Sequence, residues 1–417
     1  MYQAARGTTD ILPAEQPYWR YVEKAIDDIT RLYGYQRIDT PVFEDTSLFR
    51  RSAGDYTDIV QKEMYTFDDR GGNSLSLKPE GTPAVCRAYI QHGMQNLPQP
   101  VKLYYISPIF RYDRPQAGRY RQHYQFGGEA IGEVDPALDA EVIDMAWQFY
   151  KSMGLVNLSL QLNSIGCKVC RPGYLAALKD YYAGYSGQLC NDCKTRLEKN
   201  PLRLLDCKQP PCQKIAEGAP RNTSYLCQQC DEHFKKLQKY LILLGIPFFL
   251  NHRLVRGLDY YTRTVFEIQP EEEGGQSTIG GGGRYDDLIE ELGGKPTPAI
   301  GFATGIERII LNLKKQSVSI PTQPSLEVLI AYMGDKAREE SIRLAAHLRQ
   351  IGISAITTTG DKSLKAQLRQ ANTLNVRYTV IIGEDEVKDG AVTLRDMGSA
   401  RQETVRLTEL VERLKSK

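Results

Sequence analysis

Phe110-Arg111-Tyr112-Asp113-Arg114-Pro115-Gln116-Ala117-Gly118-Arg119-Tyr120-Arg121-Gln122 carries four arginines within eleven positions, Arg111 to Arg121. Residues 102–107 before it and 124–131 after it read as strands, so the arginines lie on a loop between two β segments. A guanidinium offers a fixed planar fork to phosphate oxygens, which makes such a loop suited to gripping a polyphosphate. Taken alone it reads as well as a solvated hairpin tip. On the downstream strand, however, Gln125 and Glu129 alternate with Phe126, so one strand face is polar and able to hydrogen-bond.

Four further stretches carry chemistry. Leu77-Lys78-Pro79-Glu80-Gly81-Thr82 places a carboxylate and a hydroxyl at the start of a predicted helix. In Val255-Arg256-Gly257-Leu258-Asp259-Tyr260-Tyr261-Thr262, an arginine and two adjacent tyrosines flank a glycine that lets a ligand approach the backbone. Gly280-Gly281-Gly282-Gly283-Arg284-Tyr285-Asp286-Asp287-Leu288 reads either as a hairpin connection or as a backbone floor beneath a planar group. It is not a P-loop, because no Gly-Lys-Ser/Thr follows and Gly294-Lys295 runs into Pro296. Ala299-Ile300-Gly301-Phe302-Ala303-Thr304-Gly305-Ile306-Glu307-Arg308 leads small residues into a helix with an arginine in its first turn; tight strand–helix packing is the plainer account of it.

The 417 residues exceed one ordinary core and imply several domains, and 41% hydrophobic with 25% charged residues is the balance of a globular protein. A net charge of +2 argues against a generally basic nucleic-acid binder but leaves room for local basic patches. No apolar run reaches the ~18 residues of a membrane helix, and the first residues lack a signal peptide's apolar stretch, so a cytoplasmic chain is expected. Helical spacing of Trp19, Val22, Ile26 and Ile29 predicts a helix, and residues 37–44, including Pro41, predict a strand at an edge or interface. From Gly166 to about Leu250 the texture changes to cysteine pairs between basic helical stretches, an inserted module. After a proline-bearing linker through Pro321 and Pro324, strands and helices alternate to the end, indicating a separate α/β domain. The expected division is 1–165, 166–250, 251–320 and 325–417.

In this order the five stretches resemble one family. Residues 35–44 resemble motif 1 of class II aminoacyl-tRNA synthetases, residues 110–129 motif 2 and residues 301–308 motif 3. Residues 254–261 and 281–288 resemble the two signature peptides of histidyl-tRNA synthetases, bacterial type. The resemblance spans essentially the whole chain. It implies a catalytic core built on an antiparallel sheet, an inserted helical cysteine-rich module and a C-terminal α/β anticodon-binding domain. One departure is Asp113, which stands where the family more often has glutamate.

That resemblance implies the reaction as well: ATP-dependent attachment of L-histidine to its tRNA through a histidyl-adenylate, with ATP arriving as its magnesium complex. Two anions must meet, so cations are needed at the phosphoryl group. By resemblance Arg111 and Arg256 flank the α-phosphate and are the catalytic pair, and Arg308 holds the γ-phosphate. Asp113 belongs to the ATP site, and Arg119 and Arg121 to the ATP site or the tRNA acceptor end. Glu129 and Tyr261 are expected at the imidazole, Glu80, Thr82 and Gln125 around the amino group, and Tyr260 and Tyr285 along the pocket. A pocket that hydrogen-bonds a specific ring rejects analogues by ~10⁴–10⁵, so no editing site is expected. Lys362, Lys365 and Arg369 are candidates for the anticodon arm, a solvated helix face being the equal alternative. A homodimer with motif 1 at its interface is implied too.

Eight of the nine cysteines lie between Cys167 and Cys230. Cys167-x-x-Cys170, Cys190-x-x-Cys193 and Cys227-x-x-Cys230 have the spacing of tetrahedral zinc sites, and Cys207 with Cys212 forms a looser pair. Thiols packed as small hydrophobes are the other reading, and the sequence commits to no metal. The module's expected task is to clasp the tRNA acceptor stem, with its cysteines far from the motif residues. A rival for the whole chain is a histidine-sensing regulatory paralogue, of the kind that governs ATP phosphoribosyltransferase. Such paralogues lack the signature residues and the C-terminal domain. A zinc-stabilised RNA-binding protein without catalysis would leave residues 254–261 and 281–288 unexplained.

Overall fold

The computed structural model describes residues 2–54, 57–116, 118–271, 278–321 and 326–415. Ala117 in the arginine-rich stretch, and Pro324 and Ser325 at the expected domain boundary, lie outside them. The chain divides into two compact units, Met1–Pro321 and Thr322–Lys417.

In the first unit the strands are Gln36–Arg37 (β1), Phe43–Asp45 (β2), Thr66–Asp68 (β3), Ser74–Leu77 (β4), Val101–Phe110 (β5), Gln122–Ile131 (β6), Leu158–Ser164 (β7), Phe248–Leu250 (β8), Thr262–Pro270 (β9), Gly280–Arg284 (β10) and Ala299–Gly305 (β11). Eight of them form one sheet in the order β1-β5-β6-β11-β10-β9-β7-β8; β2, β4 and β3 form a small second sheet. Only the outer pairs β1/β5 and β7/β8 run parallel in the large sheet. The rest is antiparallel, as expected.

The helices of this unit are Gln16–Leu32 (α1), Thr46–Ala53 (α2), Thr82–Gln91 (α3), Pro136–Ser152 (α4), Arg171–Ala183 (α5), Asn191–Lys199 (α6), Pro210–Glu217 (α7), Gln228–Leu243 (α8), Leu288–Glu291 (α9) and Ile306–Lys315 (α10). Pro136 sits at the first turn of α4, where no backbone N–H is needed, and the Asp135 carboxylate caps the helix by accepting from the Ala137 amide at 2.8 Å. Trp19, Val22, Ile26 and Ile29 are the buried stripe of α1. They pack with Phe126, Phe149 and Phe302 on one face of the large sheet, where Phe126 meets Phe149 and Phe302 edge-on at 5.1 and 5.3 Å. The opposite face is covered by Val85 and Tyr89 of α3 and by module residues such as Tyr174, Tyr182 and Leu204.

One strand differs from expectation. Residues 37–44 do not form a continuous strand: β1 pairs with β5 in the large sheet, and β2 pairs with β4 in the small one. Pro41 lies between them and has no N–H for a ladder, so the chain changes sheets there. The four glycines at 280–283 are not a hairpin connection either. They are most of β10, hydrogen-bonded to β9 and β11 on its two sides.

The second unit consists of Val328–Tyr332 (β12), Asp335–Gln350 (α11), Ala355–Thr357 (β13), Leu364–Thr373 (α12), Tyr378–Ile382 (β14), Glu384–Asp389 (α13), Ala391–Asp396 (β15), Gln402–Arg406 (β16) and Leu410–Lys415 (α14). Its sheet order is β13-β12-β14-β15-β16, with the first three strands parallel. Only the short α13 was not anticipated; the Glu386 carboxylate caps it on the Gly383 amide at 3.0 Å, and Gly390 at φ 62° stops it. No described helix is long and apolar enough to cross a membrane.

Candidate active site

A cavity of about 580 Å³ opens on the face of the large sheet that carries Gln125. Its floor follows from strand register. Tyr105 stands opposite Gly127, and Glu129 lies between Leu103 and Gly301 on its two neighbours. A Cβ at Gly127 would come within 2.3 Å of the Tyr105 ring, and one at Gly81 within 2.2 Å. At Gly301 it would stand 1.8 Å from Glu129 Oε2, and at Gly281 it would stand 2.9 Å from Arg256 Nη1. At Gly127, Gly81 and Gly301 the missing side chain is the space taken by a side chain of the site; at Gly281 the Phe266 carbonyl of β9, 2.7 Å from such a Cβ, crowds it as well as Arg256.

Glu129 is buried and accepts from Thr82 Oγ1 at 2.6 Å and from the Tyr285 hydroxyl at 2.5 Å. Glu80 accepts from the Tyr260 hydroxyl at 2.8 Å. Tyr260 and Tyr261 stack at 4.7 Å, and Tyr285 meets Tyr260 edge-on at 5.8 Å. Burial pushes Glu129 up to about 8, with the nearby Glu80 charge adding to the rise. It also pushes Glu80 up to about 7, against the pull of the Tyr260 hydroxyl and Arg111. Glu80 Oε1, Gln125 Oε1 and the Tyr105 hydroxyl are buried and lack a hydrogen-bond partner among the described residues. Unsatisfied buried polar atoms cost ~1–3 kcal/mol each, and a polar, cationic ligand relieves that cost.

Arginines form another part of the wall. Arg111 is held by its Nε donating to Pro79 O at 2.7 Å. Arg308, in the first turn of α10, donates to Gly118 O at 3.0 Å and to Thr278 O at 2.7 Å. Burial first, then the charges of Arg119 and Arg111, lower its pKa, a sign of cations gathered without enough anions. Arg256 is paired with Glu267, which also accepts from Thr278 Oγ1 at 2.8 Å. Arg119 faces Asp113 at 3.7 Å.

Arg121 and Glu129 are absent from the cavity lining. Glu129 lies beneath it, reaching it through Thr82 and Tyr285. Arg121 instead lies over the Tyr112 ring at 3.6 Å and donates to Asp113 O and Arg6 O at 3.3 Å, bracing the loop. The other expected site residues, Glu80, Thr82, Arg111, Asp113, Arg119, Gln125, Arg256, Tyr260, Tyr261, Tyr285 and Arg308, all border the cavity.

Sequence reasoning missed Tyr105, His123 and Glu267. Tyr105 and His123 lie on the same polar strand faces as Gln125 and Glu129, so alternation would have found them. Burial, and then the charge of Arg111, lowers His123 to about 3, so its ring is neutral. Glu267 had no local sign. The cysteine module also reaches the cavity, correcting the expectation that its cysteines lie far from the motif residues: Cys190, Cys207, Arg196 and Arg203 line the wall. Arg196 and Arg203 hold Asp58 at 3.3 and 3.2 Å, and Asn200 donates to Asp259 at 2.7 Å.

The histidyl-tRNA synthetase family profile matches residues 7–168 and 213–309, and that of the anticodon binding domain matches 327–417. A histidine–tRNA ligase of Dehalococcoides mccartyi is 62% identical over 415 residues, covering 100% of this chain and 99% of that protein. Another, of Pelotomaculum thermopropionicum, is 51% identical, covering 99% of this chain and 97% of its own. The crystal structure of the apo S. aureus histidyl-tRNA synthetase superposes with a TM-score of 0.84 at 39% identity, each chain covered completely. The chain belongs to the histidyl-tRNA synthetase family.

Proposed function

We propose that this chain charges tRNA(His) as a histidine–tRNA ligase, with the residues above in the following roles. A histidine carboxylate oxygen attacks the α-phosphorus of ATP, the bond to pyrophosphate breaks, and histidyl-adenylate forms. A terminal ribose hydroxyl of the tRNA then attacks the activated carbonyl, and AMP leaves. Arg111 and Arg256 draw the two anions together and stabilise charge at the α-phosphate; Arg308, with Arg119, takes the outer phosphates. ATP enters as its magnesium complex, and the magnesium neutralises phosphate charge. Asp113 and Arg121 shape the loop around the nucleotide.

The observation that carries this reading is the floor: two buried carboxylates, Glu129 and Glu80, tied to Thr82, Tyr285 and Tyr260 and lying under an arginine-lined opening. Histidine supplies what the floor lacks, a cationic ammonium and ring N–H donors. Glu129 and Tyr261 read the imidazole, and Glu80, Thr82 and Gln125 receive the amino-group end. Selection by paired polar groups needs no editing step.

The working form is a homodimer. Val42, Phe43 and Phe67 are exposed on the small sheet, and Phe43 and Phe67 pair at 6.5 Å, an apolar surface suited to a second copy. The partners are tRNA(His), L-histidine and ATP, and the place of action is the cytoplasm, where charged tRNA is consumed.

ATP–pyrophosphate exchange with all twenty amino acids, beside an Arg256→Ala control, tests the reading. Exchange with histidine alone, lost in the control, is expected. Histidine binding without exchange would move the chain to the regulatory-paralogue class.

A further inference from the structure

The eight cysteines of the inserted module gather into two groups of four, Cys167/Cys170/Cys227/Cys230 and Cys190/Cys193/Cys207/Cys212, with all sulfurs of a group within 4.8 Å of one another. Neither group is disulfide-bonded. Individual sulfur pairs are 3.8 Å (Cys167–Cys170), 3.9 Å (Cys167–Cys227) and 3.8 Å (Cys190–Cys207) apart. Four Zn–S bonds of ~2.3 Å directed to the corners of a tetrahedron give sulfur–sulfur edges of ~3.8 Å. A single thiol pair in contact has a similar spacing; what packing does not call for is four sulfurs all within 4.8 Å of one another, and that arrangement occurs twice.

The backbone repeats the same construction. Cys190 caps α6 and Cys227 caps α8 with nearly identical angles, φ −66°, ψ 163° and φ −68°, ψ 162°. In each case the second cysteine of the pair lies in the first helical turn. Backbone amides complete the pattern: Cys167 N–H donates to Cys170 Sγ at 3.3 Å, and Cys190 N–H donates to Cys212 Sγ at 3.4 Å. What looked in the sequence like a loose pair, Cys207 and Cys212, is half of a complete set.

We infer that the module holds two mononuclear zinc ions, one in each tetracysteine group. Each ion displaces four thiol protons, leaving a closed site with no position for a substrate, so both ions are structural. The first site joins the point where the chain leaves β7 to the start of α8, which leads it back to β8. The second fixes the segment between Cys193 and Cys207, which carries Arg196 and Arg203, holding Asp58 at the cavity wall, and Asn200, holding Asp259 beside Tyr260. The inference does not depend on which amino acid the cavity accepts.

Native mass spectrometry of the untagged full chain, purified without chelator, should show a mass excess of two zinc ions that is lost on denaturation. Cys193→Ser/Cys212→Ser should retain one zinc, and Cys170→Ser/Cys230→Ser should retain the other. If these variants fail to fold, a mercurial thiol reagent added to the wild-type chain, with a metal-sensitive dye, should release two zinc equivalents. Amide exchange in residues 194–206 should quicken on loss of the second site and not of the first. A metal-free chain with all its thiols titratable overturns the inference, as does a coloured iron-bearing chain. One zinc lost equally by both double variants overturns the two-site assignment.

Discussion

The Tyr285 hydroxyl donates to Glu129 across 2.5 Å, joining residues 156 positions apart in the chain. The bond fixes a carboxyl group that burial alone would neutralise, and Thr82 holds its other oxygen. Burial still leaves Glu129 at about 8, so near neutrality the empty floor is largely protonated and becomes a carboxylate when a cation draws the proton off.

Histidine binding should be tied to proton release. Glu129 in the empty pocket sits at about 8 and Glu80 at about 7. A bound cation lowers both, so below these values binding expels protons and affinity rises with pH toward about 8. Calorimetry in buffers of different ionisation enthalpy measures the proton count, and a count of zero would refute the linkage.

The same shift sets a stability slope. An unfolded glutamate titrates near ~4.3, so between that value and about 8 the folded chain binds the extra proton. The stabilisation this gives is full below the unfolded value and is lost as pH rises through the folded one. Glu129→Gln cannot ionise, so its Tm should fall less than wild type as pH rises from ~4.3 to about 8, while histidine activation is lost.

Gly301→Ala should disable the site with the sheet intact. The added carbon would stand 1.8 Å from Glu129 Oε2, forcing the carboxylate away from Thr82 and Tyr285. Histidine-dependent exchange should fall by ~10²-fold or more, since small misplacements in a reacting geometry cost that much. Unfolding should show a loss of only ~1–3 kcal/mol.

Arg256→Lys should keep a cation but lose the planar fork that pairs with Glu267. We expect kcat for adenylation to fall by ~10²–10³, the range for removing one transition-state donor, with a smaller change in the KM for histidine. Equal losses in both terms would point to collapse of the wall instead.

Arg284 lies within the glycine-rich peptide but serves the core. Its Nε donates to Asp139 Oδ1 at 2.7 Å, both side chains are fully buried, and His233 and Thr264 hold the other Asp139 oxygen at 2.8 and 2.6 Å. Asp139→Ala leaves the buried Arg284 with Asp286 as its one remaining carboxylate, 2.8 Å from Nη1, and takes the acceptor from Thr264 and His233, so it should cost ~1–3 kcal/mol in denaturant unfolding. Exchange activity per folded molecule should change little.

The order of the chemical stretches and the alternation of the last ninety or so residues were legible because they rest on local pattern, short-range spacing and turn chemistry. Gln125 and Glu129 could be placed on one strand face for the same reason. The glycines at 127, 281 and 301 could not be read, because their purpose lies in a side chain on another strand or loop. Glu267 was hidden likewise: only the folded sheet brings it to Arg256. Cysteine spacing offered tetrahedral metal sites as one of two readings of the module, beside packed thiols, and gave no pairing of the cysteines. Cys190 finds Cys207 and Cys212 rather than Cys227 or Cys230 through helix packing that no interval in the sequence encodes.

The meeting of Cys167 and Cys170 with Cys227 and Cys230 brings the two ends of a long detour almost together. Everything between them leaves and rejoins the sheet at one place, while Tyr174, Tyr182 and Leu204 lie back across the sheet's second face. A short bridge between those ends would span the gap without asking β7 or β8 to move, so the intervening chain is free to differ in length wherever it does not cover the sheet or hold Asp58.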